Sequence, residues 1–319
     1  MRIAFTTELP REGFVRLAGH TLNAPFEEAE VLVSTFDAKV SGEMIAAMPK
    51  LQLIANFGAG YNNIDLEACK ARGIRVTNTP QPVIEPTAEL AFALMMAVSR
   101  RIVEFDKKLR VESLELREVG KFKEESLFGV MQNLSHSLYG KTLGILGMGR
   151  IGQALARRAK ASGMRIIYHN RHELTSERVK ELKSEGVDAQ YVDFQTMLQD
   201  SDFLSLNLPY TPEVHHIIGK PELGMMKRSA YLITTARGAH VHEAALIEAL
   251  KSGIIAGAAL DVYEFEPKIS EELLSLPNVV LSPHTGTGTW EGRIAMCENV
   301  TDNIISFIEG RWNDMDIVN

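Results

Sequence analysis

Cysteine is scarce in this sequence: Cys69 and Cys297 are the only two among 319 residues, and they show no paired spacing. A disulfide framework or a cysteine-rich zinc site is therefore not expected, and a reducing, cytoplasmic compartment suits the chain. Positive charge is also short. Lys and Arg number 34 against 41 Asp and Glu, a formal charge of −7, with a pI near 5.8. Nucleic-acid and anionic-membrane partners need a basic surface, so neither is expected, although a local basic pocket for a small anion is compatible. Long apolar runs are missing too. The longest, "LAFALMMAV" at 90–98, is far short of the roughly 20 residues that span a bilayer and reads as a buried helix. The opening "MRIAFTTELP" reads as a strand without the apolar stretch of a leader.

What is present is the balance of a globular protein, 45% apolar and 24% charged residues, at a length that suggests two domains. Short apolar runs alternate with helical patterns. "RIAFTT", "EVLVST", "LQLIANFG" and "IRVTNT" read as strands, with helices such as "SGEMIAAMP" and "IDLEACKARG" between them. The alternation predicts a parallel sheet with helices on both faces. A long helix is expected from Pro86 to about Arg110, since proline is favoured at a helix start. Residues 104–140 are charge-rich and lose apolar periodicity. They read as a solvated connector or as an arm that packs on a partner subunit. A second series begins at Lys141, with "TLGILG", "RIIYHN", "FLSLNL", "AYLITT", "AGAALDV" and "VVLSP" as the strands of a Rossmann sheet. After Pro283 come a glycine turn and one long helix, and no further strand is expected.

Chemistry enters with "GMGRIG". Gly147 permits a tight turn, Gly149 lets the backbone approach a pyrophosphate, and Gly152 allows close helix–strand packing. Arg150 and Ile151 open the helix, whose first N–H groups would receive phosphate oxygens. The turn follows a strand and opens a helix, as a dinucleotide site requires. At the end of the next strand, where a carboxylate usually takes the ribose, stand Asn170 and Arg171. Asn170 has no charge to repel a 2′-phosphate, and Arg171 can bind one, so NADP is favoured over NAD.

Three further residues follow expected strands: Arg237 in "LITTARGAH", Glu266 in "ALDVYEFEP" and His284 in "LSPHTG". Each also has a structural reading, as a surface ion-pair partner, a solvated loop acid and a helix cap. Together they suit carbonyl reduction. Histidine donates a proton near neutral pH, a carboxylate holds its tautomer, and an arginine fork grips a carboxylate and polarises the carbonyl beside it.

The chain resembles the D-isomer-specific 2-hydroxyacid dehydrogenases along nearly its whole length. The resemblance rests on "FGAGYNNIDLEACKARGIRVTNTP", "PTAELAFALMMAVSRR", "GKTLGILGMGRIG", "LNLPYTPEVHHII", "TTARGAHVHEAALIEAL", "ALDVYEFEP" and "SPHTG". It implies an α/β protein of two doubly wound parallel-sheet domains, Rossmann-like and flavodoxin-like. Residues 1–103 with 287–319 would form a discontinuous substrate domain, and 104–286 an inserted NAD(P)-binding domain. It implies catalysis by Arg237, Glu266 and His284, and substrate-carboxylate binding by Ala59 and Gly60 alongside Arg237. Thr87, Pro209, Thr235 and Asp261 would line the cofactor, Asp261 near the nicotinamide amide. A homodimer is expected, with no metal. The reaction implied is reduction of a small 2-oxoacid, glyoxylate or hydroxypyruvate, to a D-2-hydroxyacid. Reactions of the 2-ketogluconate or D-lactate type are alternatives. A reading from another class is a dinucleotide-sensing, corepressor-like binding protein.

Two departures stand out. His242 replaces the family's usual Asp ahead of a helix, so that helix start is expected to be less well supported. Trp290 occupies a variable spot after "HTGTGT", where it shapes a pocket, a subunit contact or ordinary helix packing. Among the other histidines, His215 and His216 are adjacent and are not expected to face one way. A metal between His240 and His242 lacks accompanying ligands.

Overall fold

The computed structural model describes residues 1–112 and 133–319. The chain folds as two compact units. One comprises residues 1–86 and 287–319, and the other residues 87–286.

In the first unit, five parallel strands alternate with helices. They are β1 (Arg2–Phe5), β2 (Thr21–Leu22), β3 (Val31–Thr35), β4 (Leu53–Phe57) and β5 (Arg75–Thr77), in the order β2-β1-β3-β4-β5. This is the flavodoxin-like order. Both faces are buried, so the strands are continuously apolar rather than alternating. Val31, Val33, Leu53, Ala55 and Phe57 pack against Met296, Cys297 and Val300 of the C-terminal helix Trp290–Ile308. Leu32, Ile54 and Val76 face Ile45, Met48 and Cys69 on the other side. The C-terminal helix comes so close to the turn Arg11–Leu17 that a Cβ at Gly13 would lie 2.1 Å from Cys297 Cβ. After this helix the chain runs along the edge of β5, where Val318 N–H donates to the Val76 carbonyl at 2.9 Å. A single antiparallel bridge, Thr77 to Ile317, stands where no strand was expected.

Among the described residues, the second unit holds seven parallel strands: β6 (Thr142–Leu146), β7 (Arg165–His169), β8 (Ala189–Tyr191), β9 (Phe203–Leu206), β10 (Tyr231–Thr234), β11 (Gly257–Leu260) and β12 (Val279–Leu281). Their order, β12-β11-β10-β9-β6-β7-β8, is that of a Rossmann sheet with one added strand. The sequence reading named six of these strands. It passed over β8, a three-residue edge strand whose side chains are all at least partly exposed, which leaves little apolar pattern to read.

The long helix expected from Pro86 to Arg110 is broken. It runs from Ile84 to Ser99, and a second helix covers Ile102–Lys107. Between them Arg101 takes a left-handed backbone at φ 54°, which interrupts the helical hydrogen-bond ladder. Pro86 lies in the first turn, where its missing N–H costs nothing. Of the charge-rich segment 104–140, residues 113–132 lie outside the described residues.

Candidate active site

The glycine turn follows β6. Gly147 has φ 98°, and a Cβ there would lie 2.8 Å from the backbone of Asn207 and Leu208. A Cβ at Gly152 would lie 2.3 Å from the Gly147 carbonyl oxygen. At Gly149 a Cβ would meet nothing within 4 Å. Two glycines are thus required by close backbone contact, and the third opens onto space at the start of the helix Arg150–Ala161. The first bond of that helix runs from Gln153 N–H to the Gly149 carbonyl at 2.9 Å, which leaves the N–H groups of Arg150, Ile151 and Gly152 ahead of the ladder. This concavity fits a pyrophosphate.

Asn170, just past β7, is part of the turn. Its Oδ1 accepts from Met148 N–H at 2.7 Å, so its amide group remains as a donor. Arg171 is exposed, and its charge helps hold the Glu213 carboxyl below the ordinary value, chiefly set by hydrogen bonds from Thr211 and the local backbone. Pro209 is exposed, and Thr235 is buried at the end of β10.

Asp261 is fully buried past β11. Its Oδ1 accepts from Ser282 Oγ at 2.6 Å and Thr285 N–H at 2.8 Å. Its Oδ2 accepts from Gly286 N–H at 2.8 Å. One carboxylate therefore shapes the loop that carries His284. Gly286 also lies against Thr87, whose Cγ2 would be 3.4 Å from an added Cβ. His284 itself sits at φ 53°, an uncommon conformation for a non-glycine residue. Its N–H donates to the Asp261 carbonyl at 2.8 Å.

His284 Nδ1 lies 2.8 Å from Glu266 Oε2. A carboxylate only accepts, so Nδ1 carries the proton and Nε2 faces away from the pair. Glu266 Oε1 accepts from Tyr263 N–H at 2.8 Å. Burial pushes the Glu266 carboxyl up, but bonds from His284 and Tyr263, with the charges of His284 and Arg237, outweigh it and leave the pKa below the ordinary value. Burial lowers the Arg237 guanidinium, and the Glu266 charge opposes that. The structure thus brings Glu266 and His284 into direct contact and sets Arg237 within electrostatic reach.

In the first unit, the loop "FGAG" after β4 has the carbonyls of Gly58, Ala59 and Gly60 engaged. Gly58 O accepts from Thr79 N–H at 3.0 Å and Asn56 Nδ2 at 3.0 Å. Ala59 O accepts from Asn78 Nδ2 at 2.8 Å, and Gly60 O from Asn56 Nδ2 at 2.9 Å. With the carbonyls turned inward, the Ala59 and Gly60 N–H groups are left to receive an anion. The sequence reading missed Asn56 and Asn78. Their only signal is two amides flanking a glycine loop, and only folding aligns them with its carbonyls.

The histidines depart from expectation in two ways. His215 and His216 do face one way: their rings stack at 3.8 Å, because His216 takes φ 52° and turns its side chain back onto its neighbour. His242 does support its helix. Its Nδ1 accepts from Ala245 N–H at 3.1 Å, capping Glu243–Lys251 as the acid would. His240 is fully buried. Burial pushes it down to about 4, with the Arg237 charge adding to the effect against the Pro209 carbonyl. It is therefore neutral beside the guanidinium. Trp290 is 64% exposed and is not a core packing residue.

Residues 92–286 match the model of the D-isomer specific 2-hydroxyacid dehydrogenase NAD-binding domain. The chain is 50% identical over 283 residues to a glyoxylate reductase of Thermococcus litoralis, covering 89% of this chain and 82% of the relative. It is 41% identical to a glyoxylate reductase of Korarchaeum cryptofilum, covering 97% and 93%. Among solved structures, the NADPH-dependent glyoxylate/hydroxypyruvate reductase of Sinorhizobium meliloti, in complex with NADP and malonate, superposes with a TM-score of 0.78 at 32% identity, covering 96% and 93%. With a glycine turn built for a dinucleotide and these relatives spanning both units, the chain belongs to the D-isomer-specific 2-hydroxyacid dehydrogenase family, oxidoreductases that act on CH–OH donors with NAD or NADP.

Proposed function

We propose that the protein reduces a small 2-oxoacid of the glyoxylate or hydroxypyruvate type to the D-2-hydroxyacid, reversibly, with NADPH favoured over NADH. The observation that carries this reading is the His284–Glu266 pair at 2.8 Å with Arg237 in electrostatic reach. The relatives named above, glyoxylate reductases at 50% and 41% identity, support the substrate class.

A dinucleotide held at the glycine turn would supply the hydride that the carbonyl carbon accepts. Arg237 grips the substrate carboxylate and draws density onto the carbonyl oxygen. His284 Nε2 delivers a proton to that oxygen, and Glu266 holds the ring in the tautomer this needs. The N–H groups of Ala59 and Gly60 bind the carboxylate. Gly147, Gly149, Arg150, Ile151 and Gly152 receive the pyrophosphate, Asn170 and Arg171 the adenosine ribose and its 2′-phosphate. Thr87, Pro209, Thr235 and Asp261 line the nicotinamide side. The unit of residues 87–286 serves as the cofactor domain, and that of 1–86 with 287–319 as the substrate domain. The protein works in the cytoplasm as a homodimer.

Steady-state assays with 2-oxoacids of graded size, each with NADPH and NADH, test the reading. Turnover of glyoxylate or hydroxypyruvate is expected, and His284→Ala should remove most of it, about 10²–10⁴-fold, while dinucleotide binding persists. Absence of turnover with any 2-oxoacid would leave a dinucleotide-sensing protein instead.

A further inference from the structure

Tyr263 and its peptide to Glu264 sit among the segments that carry the three proposed catalytic groups. Tyr263 N–H donates to Glu266 Oε1 at 2.8 Å. The Tyr263 hydroxyl donates to the Ser282 carbonyl at 2.8 Å, two residues before His284. Gly238, which follows Arg237, backs onto the same peptide so closely that a Cβ would lie 1.9 Å from the Tyr263 carbonyl. Tyr263 thus links Glu266 to the segment before His284, and its carbonyl packs against the turn after Arg237.

A second carboxylate–imidazole pair holds the peptide from the other side. His216 Nε2 lies 2.6 Å from Glu264 Oε1 and, facing an acceptor, donates to it. Glu264 Oε2 accepts from Glu243 N–H at 2.8 Å. Glu264 N–H in turn donates to Glu243 Oε2 at 3.2 Å. Glu243 is buried, and its Oε1 accepts from Ser270 Oγ. The His216 ring is wedged between the stacked ring of His215 and the edge of His242, 4.7 Å away. Glu264 thus has both oxygens and its N–H committed, and each partner is itself fixed.

We propose that His216 and Glu264 are positioning residues for the reaction: their pair clamps the Tyr263–Glu264 peptide and so aligns Glu266 with His284. The proposal rests on the reading that His284 and Glu266 move the proton. One four-residue stretch, Tyr263–Glu266, then carries two acids with separate tasks. Glu266 faces the imidazole that reacts, and Glu264 faces an imidazole that anchors. Loss of the anchor lets the loop shift by a fraction of an ångström, which misaligns a proton donor without emptying the dinucleotide site.

The test uses the full chain with Glu264→Gln and His216→Ala, and His216→Gln as the conservative variant. Two quantities are read: kcat with glyoxylate and NADPH, and the Nδ1–H resonance of His284 in protein labelled with ¹⁵N-histidine. Both disruptive variants should lower kcat by about ten- to a hundred-fold with NADPH affinity unchanged. In both, the Nδ1–H proton should move upfield and exchange faster with water, and His216→Gln should recover part of each effect. An unchanged Nδ1–H resonance in both variants overturns the proposal, whatever happens to melting temperature. If the wild type turns over no 2-oxoacid, the functional reading fails, and the Nδ1–H comparison still decides the positioning claim.

Discussion

Glu266 combines partial burial with three favourable partners, and the partners win. Because its folded pKa lies below the ordinary carboxylate value, its contribution to stability is present above that value and is lost as pH falls through the lower, folded one. Melting curves on acidification from about pH 5 should therefore fall more steeply for the wild type than for Glu266→Gln. Asn170 gives a second test at this scale. Asp can accept the Met148 N–H bond as Asn170 does, so Asn170→Asp keeps the turn and changes only charge. It should lower kcat/KM with NADPH relative to NADH by roughly ten- to a hundred-fold, the worth of one charge-assisted hydrogen bond. A wild type that already prefers NADH tenfold would sink the argument from Asn170 and Arg171.

Among the elements, the helix Glu243–Lys251 is the informative one. Its sequence lacks the expected acid at the cap, yet the cap exists, because an unprotonated ring nitrogen is also an acceptor. Its first N–H group is taken by Glu264 Oε2, from a loop 21 residues away. His242→Ala should cost about 1 kcal/mol, as loss of a cap usually does, while His242→Asp should keep most of it. Thermal unfolding of the two variants side by side reads the difference, and equal melting temperatures would mean that Glu264 alone supports the helix start. The broken helix after Ser99 shows the opposite case. Its apolar and charged residues continue a helical pattern, and a single left-handed residue, Arg101, ends it. The Arg101 guanidinium donates to the Leu134 carbonyl at 2.9 Å, a partner 33 residues on that no local pattern reveals.

At the scale of the molecule, one region of the second unit carries exposed apolar side chains close together. Met96, Ile102, Val103 and Leu109 are exposed, as are Leu134 and Tyr139. His136 N–H donates to the Ser99 carbonyl at 2.9 Å, which brings the two segments side by side. We propose that a second copy of the chain covers this apolar surface, as the homodimer requires. Light scattering after size-exclusion chromatography should give a dimer, and the double variant Ile102→Glu, Val103→Glu should give a monomer. A monomeric wild type at micromolar concentration would overturn the dimer.

The sequence by itself determined the two parallel sheets, because their strands are apolar on both faces and separated by helices with their own caps, as at Ser41, Asp65, Thr175 and Asp193. It also determined the dinucleotide turn, since the spacing of three glycines between a strand and a helix is local information. Arg237, Glu266 and His284 could be named because each follows a strand of one sheet, and parallel strands deliver such residues to one edge. What only the tertiary structure decided is how those residues are held. The carbonyls of the "FGAG" loop, the loop around His284 and the Tyr263–Glu264 peptide are fixed by Asn56, Asn78, Asp261, Glu243 and His216. Most of these partners lie tens of residues away in sequence. His216 bonds the Glu264 carboxylate and the others satisfy backbone groups; these partners meet only when the chain folds, and no periodicity encodes such meetings.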